Sequence, residues 1–138
     1  VTGVQTCALP ILKALLLAAK GVSWSAGASG IHFEKILQSL GIFDAVKAKF
    51  VAAKPGELIG AVVTRGEVDI GVQQVSELLP VAGIQILDPL PKEFQQVINY
   101  SSSAFSNSKQ PDAAKEFVKF LRSEEAKKVL REKGLDPA

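Results

Sequence analysis

Hydrophobic and polar positions divide the chain into short apolar runs and segments with helical spacing. Runs rich in β-branched or aromatic residues and bounded by Gly or Pro predict strands at residues 21–25, 50–53, 68–73 and 84–87. Apolar residues three or four positions apart predict helices at residues 31–40, 43–48, 55–66 and 75–79. Gly41 suits the C′ position after the first of these helices, and Pro55 suits the first turn of the third.

The last part of the chain has a different pattern. Residues 96–106 mix β-branched, aromatic and Ser residues with partial alternation, which predicts a long antiparallel strand near a sheet edge. A helix with one apolar face begins at Pro111. Ser123 is the expected N-cap of a final helix, which has acidic residues in its first turn and Gly134 at its end.

Strands separated by helices predict an α/β fold with a largely parallel sheet and helices on both of its faces. In such sheets, ligands bind beyond the carboxyl ends of the strands, where loops meet the N-termini of helices. Three loops fit this description, at residues 25–31, 54–58 and 73–77. They are the places where we expect a binding site.

The loop after the first strand, Ala26-Gly27-Ala28-Ser29-Gly30, has the composition of an anion site. Its glycines let the backbone approach a ligand closely, and the helix that follows directs N–H groups and the positive end of its dipole to the same place. Ser29 adds a hydroxyl donor. A purely structural interpretation also fits, in which Ser29 caps the helix and the glycines turn the chain.

The remaining motifs argue against several kinds of site and favour few. No Lys follows the glycines as in a P-loop, and the G-x-G-x-x-G fingerprint is absent, so nucleotide binding is weakly supported. His32 has no partner fixed by spacing, which favours a packing or surface role. Gln74, near the end of a predicted strand, offers an amide donor. Glu57, Glu67 and Glu77 lie on different turns and do not establish a catalytic carboxylate pair.

The amino-acid composition argues against disulfides, metal sites and nucleic-acid binding. One Cys and one His exclude an intramolecular disulfide framework and a zinc site built from these residues, so we expect no protein-ligated metal and no cofactor. Sixteen Lys and Arg against fourteen Asp and Glu give a net charge of +2. Because both signs are mixed along the chain, the basic stripe of a nucleic-acid-binding protein is missing.

The N-terminal residues raise a question of origin. The chain contains no Met, and residues 1–11 (VTGVQTCALPI) resemble the conceptual translation of a synthetic sequencing adapter. We therefore expect residues 1–11, Cys7 included, to be non-native. The apolar stretch around Lys13 lacks the basic n-region of a signal peptide and is shorter than the about 20 residues that cross a bilayer. Residues 12–19 instead suit the end of an amphipathic helix.

From residue 12 onward the chain resembles a known family. LLLAAKGVSWSAGASGIHFEKILQSLGI, VVTRGEVDIGVQQVSELLPVAGIQILDPLP and KQPDAAKEFVKFLRSEEAKKVLREKGLDP are similar to the second half of bacterial extracytoplasmic solute-binding proteins of the molybdate-binding type, which serve ABC transporters. The resemblance implies a periplasmic-binding-protein type II fold, in which two lobes close over a ligand. Residues 12–108 would then form one lobe with a crossover strand. Residues 109–138 would be helices that return to a first lobe preceding residue 12.

The resemblance also implies a site and a function. The expected ligand contacts come from two backbone segments and one side chain: Ala28, Ser29 and Gly30; Gly56 and Glu57; and Gln74. Molybdate binders often have a Tyr where this chain has Gln74, so tungstate, a sulfate-like anion or another small solute stays open. The implied function is oxyanion binding without catalysis, in the periplasm or outside the cytoplasm, with an ABC permease as the partner. The alternatives are the effector-binding domain of a cytosolic transcriptional regulator and a fragment of an α/β enzyme.

Overall fold

A computed structural model describes residues 5–137 of the chain. Two strands, β1 (Val22–Trp24) and β2 (Ile70–Val72), pair in parallel, with Val22 opposite Ile70 and Trp24 opposite Val72. A further parallel bridge joins Val22 to Phe50. There the Val22 N–H donates to Lys49 O at 3.1 Å and the Val51 N–H donates to Val22 O at 3.0 Å. β1 therefore lies between β2 and the extended segment that contains Phe50.

The α/β class is confirmed, but the sheet is smaller than the largely parallel sheet that the sequence predicts. Within residues 5–137, the predicted strand at 50–53 contributes only the bridge at Phe50, and residues 84–87 and 96–106 form no strand. Leu87 and Val97 are exposed. Strand propensity describes a side chain that fits a half-buried pleated surface, and these segments have the propensity without a neighbouring strand to pair with.

Seven α-helices and one 3₁₀ helix are assigned within residues 5–137. They are α1 (Gln5–Ala18), α2 (Ala28–Ser39), α3 (Phe43–Lys47), α4 (Ile59–Thr64), α5 (Val75–Leu78), the 3₁₀ helix (Lys92–Phe94), α6 (Pro111–Phe120) and α7 (Glu124–Glu132). Each predicted helix is present, with bounds that differ by a few residues.

Helix α2 begins earlier than the sequence predicts. Gly27 is its N-cap, so Ala28, Ser29 and Gly30 form its first turn rather than a loop. At the other end Gly41 adopts φ +66°, as expected of a C′ glycine. The Gly41 N–H donates to Gln38 O and the Ile42 N–H donates to Leu37 O, both at 3.0 Å. This is the Schellman pattern of hydrogen bonds, which ends the helix sharply.

Helix α4 begins later than the sequence predicts, with Leu58 as its N-cap. Pro55 lies in a turn instead of the first helical turn: the Glu57 N–H donates to Lys54 O at 3.0 Å, and Gly56 has φ +77°. Pro followed by a glycine with positive φ is typical of a type II turn, where a residue with a side chain is disfavoured at the second central position. Because proline suits both a first helical turn and a type II turn, the sequence alone favoured the wrong one.

The core lies between β1, α2 and α3. Eight buried hydrophobic residues form it: Leu16, Val22, Trp24, Phe33, Ile36, Leu37, Ile42 and Val46. The spacing of Phe33, Ile36 and Leu37 puts them on one face of α2. This core fixes the position of α2 against the carboxyl end of β1.

The chain divides into two compact units after Gln96. In the second unit, Ser123 caps α7 as predicted, since its Oγ accepts a hydrogen bond from the Ala126 N–H at 3.2 Å. Gly134 follows the C-cap of α7 with φ +78°, which confirms it as the end of that helix. Phe117 and Phe120 on α6 are exposed.

Helix α1 spans Gln5–Ala18 and contains Pro10. The predicted helical end at residues 12–19 falls in it, while the expectation of a foreign N-terminal peptide concerns residues that lie partly outside those described. Among the residues described, no helix combines the length and the apolar character needed to span a bilayer.

Candidate functional site

A cleft of about 620 Å³ opens at the carboxyl ends of β1 and of the segment that contains Phe50. Residues 24–26 and 52–57 contribute to its lining, α2 adds Gly30, Ile31 and Glu34, and Lys47, Phe50 and Ile59 complete it. Small-molecule sites commonly occupy 300–1,000 Å³, a range that includes this volume. The cleft lies where the rule for parallel sheets places a ligand.

The first turn of α2 packs directly on the end of β1. A Cβ at Gly30 would lie 1.6 Å from the carbonyl oxygen of Ser25, so only glycine fits there. The Ser25 and Ser29 hydroxyls are joined by a hydrogen bond of 2.8 Å. Gly27, the N-cap, has no side chain to accept from the first-turn N–H groups. The positive end of the α2 dipole is therefore left open beside the cleft.

Aromatic rings form one side of the cleft. The ring centroids of Trp24 and Phe50 are 4.1 Å apart, and Phe33 meets Trp24 edge-on at 5.6 Å. The Lys47 ammonium lies 4.5 Å from the Phe50 ring centroid and 5.2 Å from that of Trp24, within the range of cation–π attraction. A positive charge is thus held over an apolar surface inside the cleft.

Glu34 connects these groups. Its Oε1 accepts a hydrogen bond from the Trp24 indole N–H at 3.1 Å, and the Lys47 ammonium lies 3.6 Å from the same oxygen. The Trp24 bond fixes the direction of the carboxylate, while the distance to Lys47 exceeds that of a normal hydrogen bond. Sequence reasoning missed this pair, because Glu34 and Lys47 lie on different helices and no spacing rule connects them.

The second wall of the cleft is the turn at residues 54–57. The Glu57 carboxylate accepts from the Lys54 backbone N–H at 3.0 Å and pairs with Arg65, which also donates to Glu67 at 2.6 Å. Hydrogen bonding to Arg65 is the main cause that lowers the pKa of Glu57 and of Glu67, and the two carboxylates raise the pKa of Arg65. This network ties the turn to the C-terminal end of α4.

A third feature is the N-terminus of α4, where a side chain accepts a hydrogen bond from a backbone N–H. Gln73 Oε1 accepts a hydrogen bond from the Ile59 N–H at 2.9 Å. The sequence places Gln73 and Gln74 together at a strand end without indicating which faces α4. Gln73 has the structural role, and Gln74 is the N-cap of α5.

The structure brings together some of the predicted site residues and not others. Gly30, Gly56 and Glu57 line the cleft. Ala28 and Ser29 are in the first turn of α2 beside it, and they and Gln74 are not part of its lining. His32 Nε2 lies 2.7 Å from Phe94 O, which attaches the 3₁₀ helix to α2. Which of these residues contact a ligand stays a prediction.

Residues 12–136 match the model of the family described as bacterial extracellular solute-binding protein. The chain belongs to this family. It is 38% identical over 128 residues to aconitate isomerase of a Pseudomonas species, which covers 91% of this chain and 48% of that protein. It is 30% identical over 106 residues to the putative ABC transporter substrate-binding lipoprotein YvgL of Bacillus subtilis, which covers 77% of this chain and 41% of that protein. The chain thus spans a little under half the length of these curated relatives.

The first of these relatives corrects one prediction. The family resemblance implied binding without catalysis, and a similar protein that carries the name of an enzyme contradicts a non-enzymatic assignment. That expectation came from the family resemblance, and the sequence also shows no nucleophile with an orienting base. An isomerisation does not require such a pair, since a positioned acid or base that moves a proton is enough. The absence of a nucleophile with an orienting base therefore does not exclude an enzyme.

Proposed function

We propose that the chain forms one half of a solute-binding cleft between two lobes and that the solute is a small organic anion. The observation that carries this proposal is the cleft itself, which is lined by Gly30 in the first turn of α2, by Lys47 and Lys54 and by an aromatic surface, with the uncapped N-terminus of α2 beside it. Helix N-termini and lysines attract negative charge, and the rings favour a carbon skeleton. A carboxylate-bearing metabolite combines the two.

Size and similarity support an organic anion. A cleft of about 620 Å³ exceeds the needs of one tetrahedral ion. The relative at 38% identity is named for aconitate, a small carboxylate. A molybdate-like oxyanion, with tungstate as its close analogue, is the alternative that the sequence resemblance favours. It would bind mainly to the N–H groups of the first turn of α2 and to the Ser29 hydroxyl.

Calorimetry on the full-length protein that contains this chain tests both ligand classes. We expect heat of binding with aconitate or succinate and a smaller response with molybdate, tungstate or sulfate. A Ser29→Leu variant, which crowds the first turn of α2, should weaken binding. Gln38→Leu, exposed at the opposite end of that helix, is the matched control and should not. The proposal fails if the unmodified protein gives no heat with any of the five anions.

An isomerase activity is a second candidate, favoured by the relative named aconitate isomerase. Proton NMR of trans-aconitate incubated with the full-length protein would follow the appearance of the cis isomer directly. Heat-denatured protein is the control for spontaneous conversion. Equal rates with native and denatured protein would exclude this activity and leave the binding role standing.

The transport role rests on the family and on the lipoprotein relative. In that role the protein acts outside the cytoplasm, closes over its ligand between two lobes and is recognised by an ABC permease. We expect a host deleted for the gene to lose uptake of the labelled ligand, with re-expression as the control. Unchanged uptake would contradict transport. The 138-residue chain alone should bind more weakly than the full-length protein, because the half of the cleft that the other lobe contributes is then missing.

A further inference from the structure

Lys47 is held in the cleft by contacts that it can exchange. Its ammonium lies over the Phe50 ring, and its ion pair with Glu34 spans 3.6 Å with the Lys47 side chain 46% exposed. Exposed ion pairs of this kind contribute little to stability, and their partners are readily replaced. A stronger anionic partner can therefore take the ammonium from Glu34 at little cost.

Glu34 has a different position in the same cluster. Its Oε1 is fixed by the Trp24 indole N–H at 3.1 Å, and Trp24 is itself buried in the core. The carboxylate therefore cannot follow Lys47 without losing a partly buried hydrogen bond. It places a fixed negative charge beside the cation that an incoming anion would use.

We infer that Lys47 binds a carboxylate of the ligand and that Glu34 is the positioning residue that holds Lys47 over the aromatic surface until the ligand arrives. This inference deepens the proposed function and depends on it, because it names the side chain that selects an organic acid. The ligand carboxylate replaces Glu34 at the ammonium, and the carbon skeleton lies against the apolar lining near Ile31 and Phe50.

Glu34 also sets a limit on the ligand. Its charge repels a second anionic group placed near Lys47, so the cleft favours acids whose carboxylates are spread along a carbon skeleton over compact ions with concentrated charge. The other lining lysine, Lys54, is on the turn that forms the second wall and is available to a more distant carboxylate.

Three variants and one control variant of the full-length protein separate these roles by calorimetry with aconitate as the probe. Lys47→Gln should weaken binding by about tenfold or more, the usual loss for a charge-assisted hydrogen bond, and Lys47→Arg should restore most of it. Glu34→Gln keeps the acceptor for Trp24 but removes the charge, and it should tighten binding about threefold. Lys35→Gln, an exposed neighbour outside the cleft lining, is the control for loss of a positive charge and should change affinity less than about twofold.

The outcomes distinguish the inference from the proposed function. If the unmodified protein binds aconitate and Lys47→Gln binds it equally well, the inference is overturned while anion binding stands. If the unmodified protein binds no carboxylate and no oxyanion, the proposed function fails and the inference fails with it.

Discussion

The N-termini of α2 and α4 both lie at the carboxyl ends of strands in the sheet, but their N–H groups have different partners. Each helix begins beside the carboxyl end of a parallel strand, α2 next to β1 and α4 next to β2. At α4, Gln73 Oε1 accepts a hydrogen bond from the Ile59 N–H, the first N–H of the helix, at 2.9 Å. At α2, the N-cap is Gly27, which has no side chain to do this, and the adjoining cleft is open.

The difference separates a structural junction from a candidate binding junction. A protein side chain that occupies a helix N-terminus removes the donors that an anion would use, whereas a glycine N-cap leaves them to a ligand or to water. Gly30 then lets the first turn of α2 pack directly against Ser25 beside the cleft. The N-termini of α2 and α4 thus differ in their proposed roles because of single residues.

Replacing Gly30 should give the largest effect. The Cβ of Gly30→Ala would lie 1.6 Å from Ser25 O, a backbone atom that cannot move without shifting β1. We expect a loss of about 3 kcal/mol or more in the free energy of unfolding, measured by urea denaturation. Gly27→Ala is the matched control, because the nearest atom to its Cβ would be 3.9 Å away. Equal stability of the two variants would show that the close approach at Gly30 does not hold α2 in place.

Removing the side-chain hydrogen bond at the N-terminus of α4 should have the second largest effect on stability. Gln73→Ala leaves the Ile59 N–H without its acceptor at a residue that is 1% exposed. The expected loss is about 1–3 kcal/mol, since an unsatisfied buried donor carries its full desolvation cost. Gln73→Glu retains an acceptor and adds a charge that suits a helix N-terminus, so it should stay near wild-type stability. A Gln73→Glu protein as unstable as Gln73→Ala would argue that the hydrogen bond is not the cause.

The same comparison shows what the sequence could predict. Local signals gave correct results: Gly41 and Gly134 end their helices with positive φ, and Ser123 caps α7. These features depend on residues within a few positions of each other. Gln73 and Gln74 show the limit, because neighbouring residues near a strand end point to opposite faces and nothing local indicates which face meets α4.

The candidate site was only partly predictable for a similar reason. Two of the three loops that the rule for parallel sheets selects, at residues 25–31 and 54–58, contribute residues to the lining of the cleft, and the loop at residues 73–77 contributes none. The pairing of Glu34 with Lys47 depends on how α2 packs against α3, and the missing strands at residues 84–87 and 96–106 depend on partners that are not adjacent in sequence. Local pattern therefore predicted positions near the cleft but not the side chains that meet inside it.

Loss of the hydrogen bond between the Ser25 and Ser29 hydroxyls at the N-terminus of α2 should reduce stability less than either change above. Ser29→Ala removes the 2.8 Å hydrogen bond to Ser25, which is partly buried. We expect a cost of about 1 kcal/mol in the free energy of unfolding. Ser29→Thr keeps the hydroxyl and should lose less. A Ser29→Ala protein with unchanged stability would mean that water replaces the bond and that the junction is held by Gly30 packing alone.

The smallest effect should come from the turn before α4, and it should depend on pH. Arg65 and the Lys54 N–H lower the pKa of Glu57 below its ordinary value of 4.5. A carboxylate with a lowered pKa adds stability above about pH 4.5 and loses this contribution as the pH falls through the folded-state value. Glu57→Gln should therefore make the thermal midpoint less sensitive to pH between 7 and 3.

Glu67→Gln provides the matched comparison for this last effect. Arg65 also lowers the pKa of Glu67, but the Glu67 carboxylate lacks the bond to Lys54 that Glu57 has, so its substitution should flatten the acid limb less. Because the Glu67 side chain is 46% exposed and that of Glu57 only 17%, high salt should weaken the contribution of Glu67 more than that of Glu57. Parallel acid limbs for the wild type and both variants would show that Arg65 does not stabilise the turn. The second wall of the cleft would then depend on the geometry of Pro55 and Gly56 alone.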